Sequence, residues 1–199
     1  MTGHKANRGA ALLILDMLND FAFEGAEALL PKARNTADTI AGLKDAARST
    51  GVPVVYVNDN YGHWHSDKNW LVDHVTREGC AGRDVVRRVL PAADDYFVIK
   101  PQFSGFYASN LPALLPQLGA ERLIVAGIAA DICVLFTAAD AHMRGYDLWV
   151  PRDTVASEDD QNCHRALDIM HKSMGAETAP TSDLTLSEWL ERSAGPPRP

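Results

Sequence analysis

The segment Leu123-Ile-Val-Ala-Gly-Ile-Ala-Ala-Asp-Ile-Cys133 decides how this chain is read. Its first half is a short apolar run preceded by Gly119, the pattern of a strand buried on both faces. Gly127 then opens a loop, and residues 132–144 read as a helix, so Cys133 falls in the first turn of a helix that follows a buried strand. The free N–H groups and dipole at a helix N-terminus stabilise a thiolate. The same N–H groups can hold an oxyanion. Position alone leaves a second reading open, a small buried cysteine that only packs.

Outward from this segment the pattern repeats. Gly51 leads into Val52-Pro-Val-Val-Tyr-Val57, Gly145 into Tyr146-Asp-Leu-Trp-Val150, and Gly175 into the weaker run Glu177-Thr-Ala179. Glycine just past a helix C-terminus takes a left-handed backbone at little steric cost, so each marks a helix followed by a strand. Two further runs, Ala11-Leu-Leu-Ile-Leu15 and Tyr96-Phe-Val-Ile99, complete the strands. Pro31 is placed to open a helix to about Ser49, with Ala33, Ala37, Ile40, Leu43, Lys44 and Ala47 along one face. Pro112 opens a short helix to Leu118, a short helix lies near 82–90, and Ser157 is a candidate cap for a helix through Met174. Strands alternating with helices predict a single α/β domain. It is a three-layer, doubly wound α/β/α sheet of six mainly parallel strands in the order 3-2-1-4-5-6. The ordered core is expected over residues 10–190, with a frayed tail at 195–199. Residues 59–81 read as a long irregular loop at the pocket.

Composition narrows the class. Nineteen basic against 26 acidic side chains give −7 over 199 residues, which argues against a duplex nucleic-acid binder. Apolar residues make up 46%, including four Trp, five Tyr and six Phe, enough for a sizeable core. No apolar run reaches the ~20 residues of a membrane span. The polar opening, with an apolar run that ends at Asp16, does not have the form of a secretory leader. Three cysteines, at 80, 133 and 163, form no CxxC and no disulfide framework. A reduced cytoplasmic enzyme without a cofactor is the expectation.

In a doubly wound sheet ligands bind beyond the carboxyl ends of the strands. That rule selects Asp16 after the first strand, Asn58-Asp59-Asn60 after the second, Lys100 after the third and Cys133 after the fourth. A lysine at the end of a buried strand is expensive unless paired, although its amine can also snorkel to solvent. Asp16 could equally cap a turn, a role that suits Asp20 better. Asp16 and Lys100 would stand two strands apart, roughly 10 Å at the backbone, a gap that a lysine side chain can bridge. The aromatics near the strand ends are Phe21, Tyr61, Trp64, Trp70, Phe103 and Phe106. Of these, Phe21, Tyr61, Trp64 and Phe106 are the candidate substrate pocket, against the plainer reading that they fill the core. His63-Trp-His65 is weak evidence for a metal, and no metal site is expected. Cys80 and Cys163 read as packing or surface residues.

With these residues in view, the sequence resembles the isochorismatase-like cysteine hydrolases from about Ala11 to Ala179. The resemblance is carried by Leu13-Ile-Leu-Asp16 with Asn19-Asp-Phe21, and by Val98-Ile-Lys100 with Ser104-Gly-Phe106. Its most specific part is Val125-Ala-Gly-Ile-Ala-Ala-Asp-Ile-Cys-Val134, followed by Thr137-Ala-Ala-Asp140 and Gly145-Tyr146. It implies a catalytic triad of Asp16, Lys100 and Cys133. It also implies a cis peptide at Ile128–Ala129 and an oxyanion hole from the backbone N–H groups of Ala129 and Cys133. Many members have threonine where Ala130 stands. Nicotinamidases of the family hold a metal through Asp-x-His, where this chain has Asp59-Asn-Tyr61. Isochorismatases that cleave a vinyl ether can lack the cysteine, so Cys133 favours thioester chemistry.

The resulting expectation is an amidohydrolase that cleaves a C–N bond of a small amide, ureide or N-carbamoyl compound through a thioester. The alternatives are a vinyl-ether hydrolase without a covalent step, and a redox-sensing or partner-binding module. A sensor would need a resolving cysteine and has no use for Asp16 and Lys100. A homodimer or homotetramer is expected, partly from the resemblance. The other ground is the helix at 132–144, whose Leu135, Phe136, Ala139 and Met143 offer more apolar surface than one sheet face needs.

Overall fold

The computed structural model describes residues 9–63 and 67–192. Trp64 and His65, and the expected tail at 195–199, lie outside the described residues. Five parallel strands form the sheet in the order β3-β2-β1-β4-β5: β1 (Ala10–Leu15), β2 (Val54–Asn58), β3 (Tyr96–Ile99), β4 (Arg122–Ile128) and β5 (Asp147–Trp149). Every residue of β1, β2 and β4 is buried, which is why these runs are apolar without alternation. Alternate residues of β1 serve opposite cores. Ala10, Leu12 and Ile14 pack with α1 (Ala26–Thr50) and α7 (Leu186–Glu191). Ala11, Leu13 and Leu15 pack with α4 (Leu111–Gln117), α5 (Leu135–Met143) and α6 (Asp160–Met174). The architecture is the expected three-layer, doubly wound sheet.

The sixth strand differs in identity. β6 is Val155–Ala156, and it pairs with the end of β4 through Gly127↔Val155 and Ile128↔Ala156. The run expected to be a strand at 177–179 contributes one parallel bridge, Glu177 to Trp149, on the outer side of β5. β5 pairs only with the first half of β4, through Arg122, Leu123 and Ile124, so the second half is open to a different segment.

Other boundaries shift for local reasons. Helix α1 begins at Ala26, five residues before Pro31, because Gly25 turns the chain at φ 88° and Ala26 and Leu29 are already buried. Lys44, on its apolar face, is buried. Its amine reaches the Tyr56 hydroxyl at 2.6 Å and lies 3.4 Å from Asp95. The segment 59–81 is not wholly irregular: it holds α2 (Lys68–Thr76), capped by the Asp67 side chain on the Trp70 N–H. Helix α3 (Arg83–Arg88) follows. Asp159, not Ser157, caps α6, by accepting from the Asn162 N–H. The helix expected over 132–144 is a π-helical turn at Ala130–Val134 that continues into α5.

Candidate active site

At the end of β1 the chain turns sharply. Asp16 has φ 49°, a left-handed conformation uncommon for a side-chain-bearing residue. Its N–H donates to the Val57 carbonyl at 3.1 Å, and the Asp59 N–H donates to its Oδ1 at 2.9 Å. The carboxylate is thereby fixed between β1 and the end of β2. Its Oδ2 lies 2.9 Å from the Lys100 Nζ. Lys100 follows β3 directly, and its backbone N–H donates to the Asn58 carbonyl at 2.9 Å. The ammonium crosses β2 to reach Asp16, donates to the Gln102 carbonyl at 3.0 Å and meets Cys133 Sγ at 3.4 Å. At 1% exposure Lys100 does not snorkel; it is a buried cation with three partners.

The charges act on one another. Burial alone would lower the Lys100 pKa, but Asp16 and then Cys133 outweigh it and hold the ammonium above the ordinary lysine range. The Cys133 thiol is pushed up to about 12, first by burial and then by the Asp16 charge, with Lys100 pulling the other way. The resting cluster therefore holds an ammonium and a neutral thiol, with the Asp16 carboxyl group against the ammonium.

The peptide bond between Ile128 and Ala129 is cis. The Ala129 carbonyl accepts from the N–H groups of Ile132 and Val134, both at 3.1 Å. Among the described residues, the N–H of Ala129 has no protein acceptor. The π-turn that carries Cys133 is tied to the end of β6, where the Ser157 hydroxyl donates to Asp131 Oδ1 at 2.6 Å. Across the sheet end, the loop after β3 is fastened to α5. The Ser104 hydroxyl donates to Asp140 Oδ2 at 2.5 Å, and the Gly105 N–H donates to the Thr137 hydroxyl at 2.9 Å. This loop carries Gln102, whose carbonyl holds Lys100.

A cavity of about 560 Å³ opens over these groups, with Asp16, Lys100, Ile128, Ala129 and Cys133 in its lining. Of the expected pocket aromatics, Tyr61 lines it, and so does Phe103. Phe21 and Phe106 do not. Phe21 is buried in the α1 core and stacks on Phe23, and Phe106 is buried beneath Arg144 and Tyr146. Asn19, Phe23, Leu29 and Glu158 also line the cavity, beyond the pocket residues that the sequence points to. Glu158 was legible in principle, because it stands two residues past β6 and the strand-end rule selects it once that strand is recognised. Asp20 has the turn role expected of it, accepting from the Ala22 N–H at 3.0 Å, and it also meets His74 Nε2 at 2.9 Å. His63 packs its ring against Trp70, 4.7 Å between centroids. Among the described residues no three His, Cys, Asp or Glu side chains gather as a metal site, and no helix is long and apolar enough to cross a membrane.

Asp16, Lys100 and Cys133 thus gather around one ammonium at the carboxyl end of a doubly wound sheet, the place where such folds bind their ligands. The Isochorismatase domain family matches residues 10–183. An uncharacterized isochorismatase family protein of Bacillus subtilis, YaaI, is 41% identical over 167 residues, 84% of this chain and 91% of that protein. The maleamate amidohydrolase of Pseudomonas putida is 29% identical over 156 residues, 74% of this chain and 72% of that protein. Among solved structures, N-carbamoylsarcosine amidase from Thermoplasma acidophilum superposes with a TM-score of 0.69 at 32% identity, covering 88% of this chain and 98% of that one. The chain belongs to the isochorismatase family of hydrolases.

Proposed function

We propose that the protein is a cysteine amidohydrolase that cleaves a C–N bond of a small amide, ureide or N-carbamoyl compound through a thioester on Cys133. One observation carries the reading: Lys100 Nζ lies 2.9 Å from Asp16 and 3.4 Å from Cys133 at the floor of the cavity. The names of two relatives, an N-carbamoylsarcosine amidase and a maleamate amidohydrolase, support the substrate class.

The thiol proton passes to Asp16 as sulfur bonds to the substrate carbonyl carbon, and the carbonyl oxygen takes the electron pair. The Ala129 and Cys133 N–H groups hold that oxyanion. Asp16 returns the proton to the nitrogen, the C–N bond breaks, and ammonia or an amine leaves. Water then gives a proton to Asp16 and attacks the thioester. The C–S bond breaks, the carboxylic product leaves, and the thiol recovers its proton. Lys100 stays charged throughout and offsets the negative charge that moves between carboxylate and sulfur. A thiol pushed to about 12 fits this sequence, since the proton leaves only as the carbonyl arrives.

The reading extends to assembly: the protein forms a homodimer or homotetramer through the α5 face, where Phe136 and Met143 are exposed. The test of function is ammonia release from a panel of primary amides, ureides and N-carbamoyl compounds. Turnover of at least one class that is abolished in Cys133→Ala supports the reading. Turnover of a vinyl ether with no ammonia from any panel member overturns it.

A further inference from the structure

Beyond the triad, the cavity wall carries an uneven charge. Its lining holds three carboxylates, Asp16, Asp59 and Glu158, against one cation, Lys100, among the described residues. Asp16 and Lys100 pair with each other, so Asp59 and Glu158 remain as net negative charge facing the substrate. The nearby cation Lys32 is engaged elsewhere. Its amine donates to the Ser157 and Glu158 carbonyls at 3.2 and 2.8 Å and meets Asp160 at 2.6 Å.

The Glu158 carboxylate lies close to the backbone of Gly25. A Cβ on Gly25 would come within 2.8 Å of Glu158 Oε2 and 3.0 Å of its carboxyl carbon, and Gly25 has φ 88°. The bare backbone of Gly25 therefore leaves the space that the carboxylate occupies. Two aromatic side chains, Phe23 and Phe103, line the same cavity and are partly exposed. Carboxylates beside open aromatic rings attract an ammonium group, by charge and by the negative faces of the rings. They repel a carboxylate.

Resting on the amidase reading, we propose that Glu158, on the cavity wall beside Gly25, makes this a site for amides whose far end is neutral or an ammonium group, and that carboxylate-bearing amides are turned away. The two relatives named above take their names from N-carbamoylsarcosine and maleamate, substrates that carry a carboxylate. On this reading the present chain differs from them in the charge it accepts.

The first arm of the test needs no amide hydrolysis. Cys133 is modified with a cationic and an anionic methanethiosulfonate reagent, and each rate is divided by the rate with a small free thiol. Peptide mass separates Cys133 from Cys80 and Cys163. At low ionic strength the normalised rate for the cation should exceed that for the anion by about tenfold, and Glu158→Gln should shrink this ratio by roughly fivefold. Glu158→Lys should shrink it further. Glu191→Gln, on α7 by the amino end of β4, should leave it unchanged. A wild-type ratio at or below one, or a ratio untouched by Glu158→Gln, overturns the proposal. Glu158 is exposed, so these variants keep the fold.

The second arm compares kcat/KM for γ-aminobutyramide, butyramide and succinamate, amides of matched length that differ in end charge. The expected order is cation first and succinamate last. Succinamate as the best of the three overturns the charge selection and leaves the amidase reading standing. Hydrolysis of none, with the reagent ratio intact, leaves the charge selection standing and returns the amidase reading to the wider panel of amides, ureides and N-carbamoyl compounds.

Discussion

Cys133 and Lys100 make separable predictions. Cys133→Ala should abolish amide turnover and keep the fold, since the side chain is small and sits in a turn. Near-wild-type ammonia release would eliminate the covalent route. Lys100→Met should lower kcat/KM by at least about a hundredfold. It should also lower stability by about 3–5 kcal/mol, read by urea denaturation, because it leaves Asp16 charged and buried without its partner. Unchanged stability would mean that the 2.9 Å pair contributes nothing to the fold. Thiol reactivity has a defined pH dependence. With its pKa pushed up to about 12, Cys133 carries a thiolate fraction that grows about tenfold per pH unit across the neutral and mildly alkaline range. Alkylation of the ligand-free enzyme by iodoacetamide should therefore keep rising from about pH 7 to about pH 10. Lys100, held above the ordinary lysine range, stays charged over that interval. A plateau below about pH 8 would show a depressed thiol pKa and contradict the resting state described above.

Gly127 tests how the elements set the site. It lies where β4 pairs with β1, at φ 119°, and a Cβ there would approach the Leu15 carbonyl oxygen to 2.1 Å. Gly127→Ala should cost about 3 kcal/mol or more, because backbone must move next to Asp16. Gly62→Ala, with φ 73° and nothing within 4 Å, should cost only about 1–2 kcal/mol of backbone strain. Equal urea midpoints for the two variants would show that the close approach is irrelevant. The strands were legible in the sequence wherever both faces are buried, as in β1, β2 and β4, since the apolar run is then unbroken. β6 was not. Two residues give no periodicity, and the segment pairs only because β5 leaves the end of β4 open. Helix α2 was hidden for a similar reason: only Leu71 and Val75 are buried along it, too few to form an apolar stripe. The strand-end rule placed Asp16, Lys100 and Cys133 on one rim, and that rim is where they meet. The aromatic lining was less legible. Ring burial depends on which loop residue turns inward: Phe21 points to the core and Phe23 to the cavity.

For the whole molecule, surface and site converge on α5. Ile132 and Phe103 line the cavity and are also exposed, and Phe103 meets Phe136 at 5.7 Å between ring centroids. A second copy covering Phe136 would border the cavity mouth. Light scattering at micromolar concentration should report a dimer or tetramer, and Phe136→Glu should shift it toward the single chain with lower activity per subunit. A wild-type mass of one chain would reject the assembly. The central claim, that these three side chains form a covalent amidase, has a more direct test. Turnover of an accepted amide is quenched in acid, and the peptide carrying Cys133 is weighed. The account predicts an acyl adduct on Cys133, heavier by the substrate acyl group and lost on treatment with hydroxylamine. Ammonia released at full rate with the Cys133 peptide unmodified at every quench time, and undiminished in Cys133→Ala, would contradict it.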